Sequence, residues 1–245
     1  MGLTFRSLKE YEEILKIIGE THKILPLIEY LNCVEQGEKN LVCLRHDIDY
    51  SLKFLPKIIE VEDKLNIKST IFVLHSIPEF IEGNLDILVE LQKKNYEIGF
   101  HYAALSYELE RGIPAKINFG IFLDKLRSYG LKIYGCASHG DLLARQHNYA
   151  NYAFFDFGLE HHQKTYKTDE TALEIDDFQS TPLVLGESKL EDFSLKYEAY
   201  FIPYDIYISE SGAKWSIDPI EFFKSGKAKE KNVQILVHPC WWRGV

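Results

Sequence analysis

The chain has 245 residues, 46% hydrophobic and 27% charged, the balance of a globular protein large enough to bury a sizeable core. Its formal net charge of −9 argues against a general nucleic-acid binder, which leans on Lys and Arg to meet phosphates. No segment approaches the apolar run that a membrane span needs, and the opening M-G-L-T-F-R-S-L-K-E holds no apolar core of signal-peptide length.

Cys33, Cys43, Cys136 and Cys240 form no C-x-x-C pair, so reduced thiols in a cytoplasmic protein are expected. Residues 7 to 31 carry helical spacing, with Leu8, Tyr11, Ile14, Leu15 and Ile18, then Leu25, Leu27, Ile28 and Leu31. Pro26 breaks that run into two helices, and Ser7 with Glu10 forms a capping box for the first.

After the polar turn E-Q-G-E-K-N comes L-V-C-L-R-H-D-I-D-Y, residues 41 to 50, where an apolar strand leads into two carboxylates one residue apart. Strand alternation sets Arg45, Asp47 and Asp49 on one side, His46 and Ile48 on the other. Like charges that close need a cation or a metal between them.

Strands and helices then alternate. A helix over 51–65 precedes the strand 68–74, a helix over 84–94 precedes 96–101, and a helix over 114–129 precedes 132–139. This order implies parallel strands wrapped by helices, in a barrel or an open sheet. Residues 140 to 195 read as long loops with short elements, His161-His162 among them as a loop pair. Strands follow over 197–203 and 204–209, then a helix over 218–225, a solvated Lys-rich turn, and a strand over 233–237 that ends in H-P-C-W-W. With no repeat, low-complexity tract or linker, residues 1–245 are expected to form a single domain. Residues 1–38 form a helical extension packed on it.

Nearly every strand ends in a polar group: Asp47 and Asp49, then His75, His101, His139 with Asp141, and His238. In parallel α/β folds the carboxyl ends of the strands converge on the face that holds the active site.

In order and spacing, L-R-H-D-I-D-Y-S, S-T-I-F-V, Y-E-I-G-F-H-Y, S-H-G and L-V-H-P-C-W-W resemble the polysaccharide deacetylase (NodB-homology) superfamily. The resemblance is to the branch with an R-H-D-V-D first motif and a final T-H-P-x-W-W, and it runs from about residue 40 to the C terminus. The helical N terminus also fits that branch. It implies a distorted (β/α) barrel, a divalent metal and hydrolysis of N-acetyl groups on sugars. Asp47 resembles the family's catalytic base, Asp49 its metal carboxylate, His101 its first metal histidine and His238 its general acid. The family's second motif, H-[ST]-x-x-H, carries a second metal histidine, and here the motif reads His101-Tyr102-Ala103-Ala104-Leu105. His139 is the expected replacement for the ligand missing at Leu105, with His75 the alternative. Asp141 is a further ligand or the carboxylate that orients His139.

The chemistry agrees with these roles. A bound metal, zinc first among the divalent candidates, brings the pKa of its water toward ~7. One carboxylate takes the proton from that water, and a histidine with a pKa near its ordinary value of about 6.5 protonates the departing amine. Arg45, on the same strand face, would lie beside Asp47 and hold its charge. The expected substrate is a small acetamido sugar or nucleotide-sugar, with no nucleic-acid partner. Two other readings stay open: hydrolysis of a different C–N bond, as in allantoinase-like members, and an inactive barrel that binds glycan, prompted by Leu105. Trp215, Trp241, Trp242 and the tyrosines 197, 200, 204 and 207 are candidates for stacking on a sugar ring.

Overall fold

The computed structural model describes residues 5–175 and 182–243. The first four residues, part of the stretch read for a leader, lie outside these. The chain divides into two compact units, one of Met1–Gly99 with Ile202–Val245 and one of Phe100–Phe201. Six strands carry the architecture: β1 (Leu41–Ile48), β2 (Thr70–Leu74), β3 (Glu97–Tyr102), β4 (Ile133–Ser138), β5 (Ile206–Ser211) and β6 (Val233–Val237). Among the described residues no helix is long and apolar enough to cross a membrane.

In the first unit β5, β6, β1 and β2 lie side by side in that order, each pair parallel. The chain's last long strand thus returns beside the first, the singly wound order of a (β/α) barrel. The class is α/β, as the sequence implies. All eight residues of β1 are buried, because β6 and β2 flank it and the helix over residues 8–19 packs on its Val42 and Leu44 face. A parallel strand buried on both faces reads as a continuous apolar run, which Leu41, Val42, Cys43 and Leu44 supply.

The N-terminal helix Leu8–Gly19 is part of this core. Ser7 Oγ accepts from the Glu10 amide at its first turn, one half of the expected capping box, while the Glu10 carboxylate pairs with Arg6 instead. Tyr11, Ile14, Leu15 and Ile18 pack in one apolar cluster with Val42 and Leu44 of β1, Val233, Ile235 and Val237 of β6, and Phe222 and Phe223. The Tyr11 phenol donates to Glu62 Oε1 at 2.6 Å, and the same carboxylate meets His46 Nε2 at 2.6 Å and the Ser69 hydroxyl at 2.7 Å. His46 is therefore bound into the helix-facing side of β1, away from Arg45 and Asp47.

In the second unit β3 neighbours β4, and β4 pairs in parallel with the two-residue strand Tyr197–Glu198. Phe100 and Tyr102 of β3 meet Phe119 edge to face, with ring centroids 5.0 and 5.1 Å apart. Gly135 on β4 is required by close approach. A Cβ there would sit 2.1 Å from the ring of Tyr197.

Several elements differ from the sequence expectation. Lys23–Leu25, between the first two helices, is a short strand paired in parallel with β1. The helix expected over 84–94 is Asp86–Lys93, preceded by a separate helix Pro78–Glu82. Helices Ala104–Arg111 and Asp156–Tyr166 fall where none was expected. The second places His161-His162 on a helix rather than in a loop and buries His162 completely, and burial pushes its imidazole pKa below the usual value. The strand over 197–203 shrinks to Tyr197–Glu198, because the Glu198 carboxylate accepts from both the Ser138 and the Tyr200 amides and turns the chain away.

Gly135→Ala is expected to cost about 1–3 kcal/mol, since Tyr197 must leave its place over β4. The urea midpoint reads this directly. An unchanged midpoint would show that the ring moves aside freely.

Candidate active site

Strand parity brings Arg45 and Asp47 to one face of β1, where Arg45 Nη2 lies 3.3 Å from Asp47 Oδ2 with both side chains at most 5% exposed. The guanidinium also donates to the Tyr207 hydroxyl at 3.4 Å and lies 5.7 Å from the ring centre of Phe72. Burial, opposed by the Arg45 charge, leaves the Tyr207 phenol pushed up to about 12, so it stays protonated.

His238 leaves the end of β6 ahead of Pro239. Its backbone N–H donates to Glu210 Oε2 at 3.1 Å, and its Nδ1 lies 2.6 Å from the Glu210 carbonyl, so Nδ1 carries a proton. Glu210, fully buried near the end of β5, also accepts from the Ala213 amide at 2.7 Å. His238 Nε2 stands 3.7 Å from Asp49 Oδ2. Burial works against a charge on this imidazole, but the hydrogen bond with Glu210 and the charges of Asp49, Asp47 and Glu210 outweigh it. The pKa is pushed up to about 9. At neutral pH His238 is an imidazolium with an N–H to give.

In the second unit His101 is buried at the end of β3, with Nδ1 2.8 Å from the Ala137 carbonyl. That contact places the proton on Nδ1 and leaves the Nε2 lone pair to bind a cation. His139 follows β4, and its ring meets that of His101 edge to face with centroids 5.2 Å apart. Its Nδ1 is 3.9 Å from Asp141 Oδ2. Two adjacent imidazoles, one fixed as an Nε2 donor, fit a borderline-soft divalent ion such as zinc. Leu105 is fully buried in the first turn of Ala104–Arg111 and offers no donor. His75 belongs to the first unit, buried just past β2.

Sequence reasoning missed Glu210, Asn151 and Ser106. Glu210 had a signal, since it too is a polar residue near a strand end. Asn151 and Ser106 had none, because ordinary polar residues in irregular sequence do not announce their partners. Of the aromatic candidates, Trp242 belongs to the apolar core and Tyr197 lies on Gly135, so both serve packing.

No family model and no curated protein matches the chain. Among solved structures, a Streptococcus mutans CE4 esterase is similar at 16% identity and a TM-score of 0.48, over 86% of this chain and 78% of that one. A CE4 family pseudoenzyme from Bacillus anthracis is similar at 13% identity and a TM-score of 0.43, over 82% of this chain and 56% of that one. A mutant of that pseudoenzyme with restored activity gives 13% identity and a TM-score of 0.44, and here the chain spans 57% of the other's length. Likenesses of this size decide neither fold nor activity.

The raised pKa of His238 predicts a sign. A base whose folded pKa lies above its unfolded value of about 6.5 stabilises the fold fully below that pH, and the contribution fades as pH rises through about 9. Glu210→Gln should therefore lower the His238 midpoint in an NMR titration of the metal-free chain. Its stability deficit should be largest near pH 6 and shrink toward pH 9. A midpoint that does not move would show that Glu210 does not hold the charge.

Proposed function

We propose that the chain is a metal-dependent hydrolase that removes the N-acetyl group from a small acetamido sugar or nucleotide-sugar. The observation that carries this reading is the placement of His238, tied to Glu210 through Nδ1 and facing Asp49 through Nε2, at the carboxyl ends of the strands that also present Asp47 with its arginine. An imidazolium with a proton to give and a carboxylate able to take one are the two halves of amide hydrolysis.

Asp49, His101 and His139 are the proposed ligands, one carboxylate and two imidazoles, a donor set that suits a divalent ion. A divalent ion bound there would supply a nucleophile at neutral pH by acidifying its water, and would polarise the acetyl carbonyl.

The chain's own residues do the rest. Asp47 takes a proton from the attacking water as its oxygen bonds to the acetyl carbon, and Arg45 keeps that carboxylate aimed. The C–N bond then breaks, and His238 Nε2 gives its proton to the leaving amine. The products are acetate and the free amino sugar. Once a cation offsets the charge of Asp49, Glu210 becomes the group that keeps His238 protonated for this step.

Asp47→Asn should keep bound metal while losing most turnover, by roughly 10²- to 10⁴-fold for a removed proton acceptor, and should lower the melting temperature because buried Arg45 loses its charge partner. Asp49→Ala should instead lose bound metal. Metal per chain, measured beside acetate release, tests the division of roles. Equal metal content in the two variants would contradict it.

A further inference from the structure

The second unit contains a buried polar cluster that neither proton-transfer step uses. Its centre is Asn151, 1% exposed, at the start of the short helical turn Asn151–Phe154. Asn151 Oδ1 accepts from the backbone N–H groups of Leu105 and Ser106, both at 3.1 Å. Its Nδ2 lies 3.0 Å from the His139 carbonyl, 2.9 Å from Asp141 Oδ2 and 3.0 Å from Ser106 Oγ. The amide cannot be turned over, because a flip would set its NH2 against two N–H donors.

Around it the partners are fixed in turn. Ser106 Oγ donates to Asp141 Oδ2 at 2.6 Å, so the Tyr149 hydroxyl, 2.8 Å away, donates to Ser106. Asp141 Oδ1 caps the helix Leu142–Gln146 through the Ala144 amide at 2.7 Å. The Asp141 carboxylate is thus held on both oxygens, with Oδ2 3.9 Å from His139 Nδ1. The backbone of His139 is pinned on both sides as well, its N–H by the Tyr102 carbonyl at 2.8 Å and its carbonyl by Asn151. Burying an amide, a hydroxyl, a phenol and part of a carboxylate around one loop costs free energy unless each finds its partner. Here they do, and what they hold still is His139.

We propose that Asn151 is the positioning residue for His139: it ties the His139 loop to the helix turn at Leu105, which brings no ligand, and aims Asp141 so that the imidazole keeps its proton on Nδ1 and offers Nε2 to a divalent cation. The proposal rests on the metal reading given above. A carboxylate facing the far nitrogen of a ligating histidine favours a proton there, here through its charge at 3.9 Å rather than a hydrogen bond, and loss of such a partner typically weakens metal affinity about 10- to 100-fold.

Asn151→Asp is the discriminating variant. It keeps an acceptor for the Leu105 and Ser106 amides but replaces the donor that holds Asp141 and the His139 carbonyl with a repelling oxygen. Zn²⁺ affinity of the full chain is read by competition with a chromophoric chelator, beside the melting temperature of the metal-free protein, with His139→Ala as the floor. The expected result is one Zn²⁺ per wild-type chain and an affinity lowered about 10- to 100-fold in folded Asn151→Asp. A lower melting temperature with unchanged Zn²⁺ affinity would make Asn151 merely structural and overturn the proposal while leaving the hydrolase reading intact. No Zn²⁺ on the wild type would overturn both. If Asn151→Asp does not fold, Ser106→Ala takes its place, since it removes the other donor on Asp141 Oδ2. A several-fold weaker affinity supports the proposal and an unchanged one overturns it.

Discussion

A central strand that buries an arginine, a histidine and an aspartate in succession can exist only if each charge is met. Breaking a buried pair by removing one partner costs about 3–5 kcal/mol, much of a domain's net stability. On one face of β1 the answer is Arg45 with Asp47, backed by Tyr207 from β5. On the other it is His46 with Glu62, to which Tyr11 and Ser69 also donate. The N-terminal helix is therefore no appendage. Without Tyr11 the Glu62 carboxylate loses one of its three buried partners, and the apolar face of β1 loses its cover.

The same alternation separates structure from chemistry. The face of His46 is sealed under a helix, while the face of Arg45 and Asp47 leads to Asp49 and to His238. Glu210 ties the ends of β5 and β6 together by accepting from the His238 and Ala213 amides, and the same carboxylate supports the positive charge of His238. The first unit thus carries the Arg45–Asp47 pair and His238, and the second carries two imidazoles set edge to face.

Sequence made the long strands plain, because the first half of β1, most of β2 and all of β6 but Gln234 are short apolar runs near polar turns. The rule that polar residues collect at strand ends named Asp47, Asp49, His75, His101, His139 with Asp141, and His238 as candidates. Element assignment was less legible. It failed where local pattern and tertiary demand part. Lys23–Leu25 looked like helix because Leu25 and Ile28 stand three residues apart, yet the register beside Leu41–Cys43 makes it a strand. Tyr197 to Pro203 looked like a strand, and the side chain of Glu198 ends it after two residues. Asn151 was invisible, since its role lies wholly in five hydrogen bonds to four residues brought together by the fold. Leu105 carried the plainest signal of departure, but the hydrogen bond from its amide to Asn151 could be seen only in three dimensions.

The central claim is that this chain releases acetate from an N-acetylated amino sugar and needs a divalent cation to do so. The most direct measurement follows acetate and free amine by NMR from a panel of acetamido sugars and nucleotide-sugars. Each is incubated with the chelator-stripped chain and with the same chain reloaded with zinc. The account predicts equimolar acetate and amine from at least one substrate, only after reloading. Zinc bound at one ion per chain with no acetate from any member of the panel would contradict it and favour a barrel that binds its glycan without cutting it.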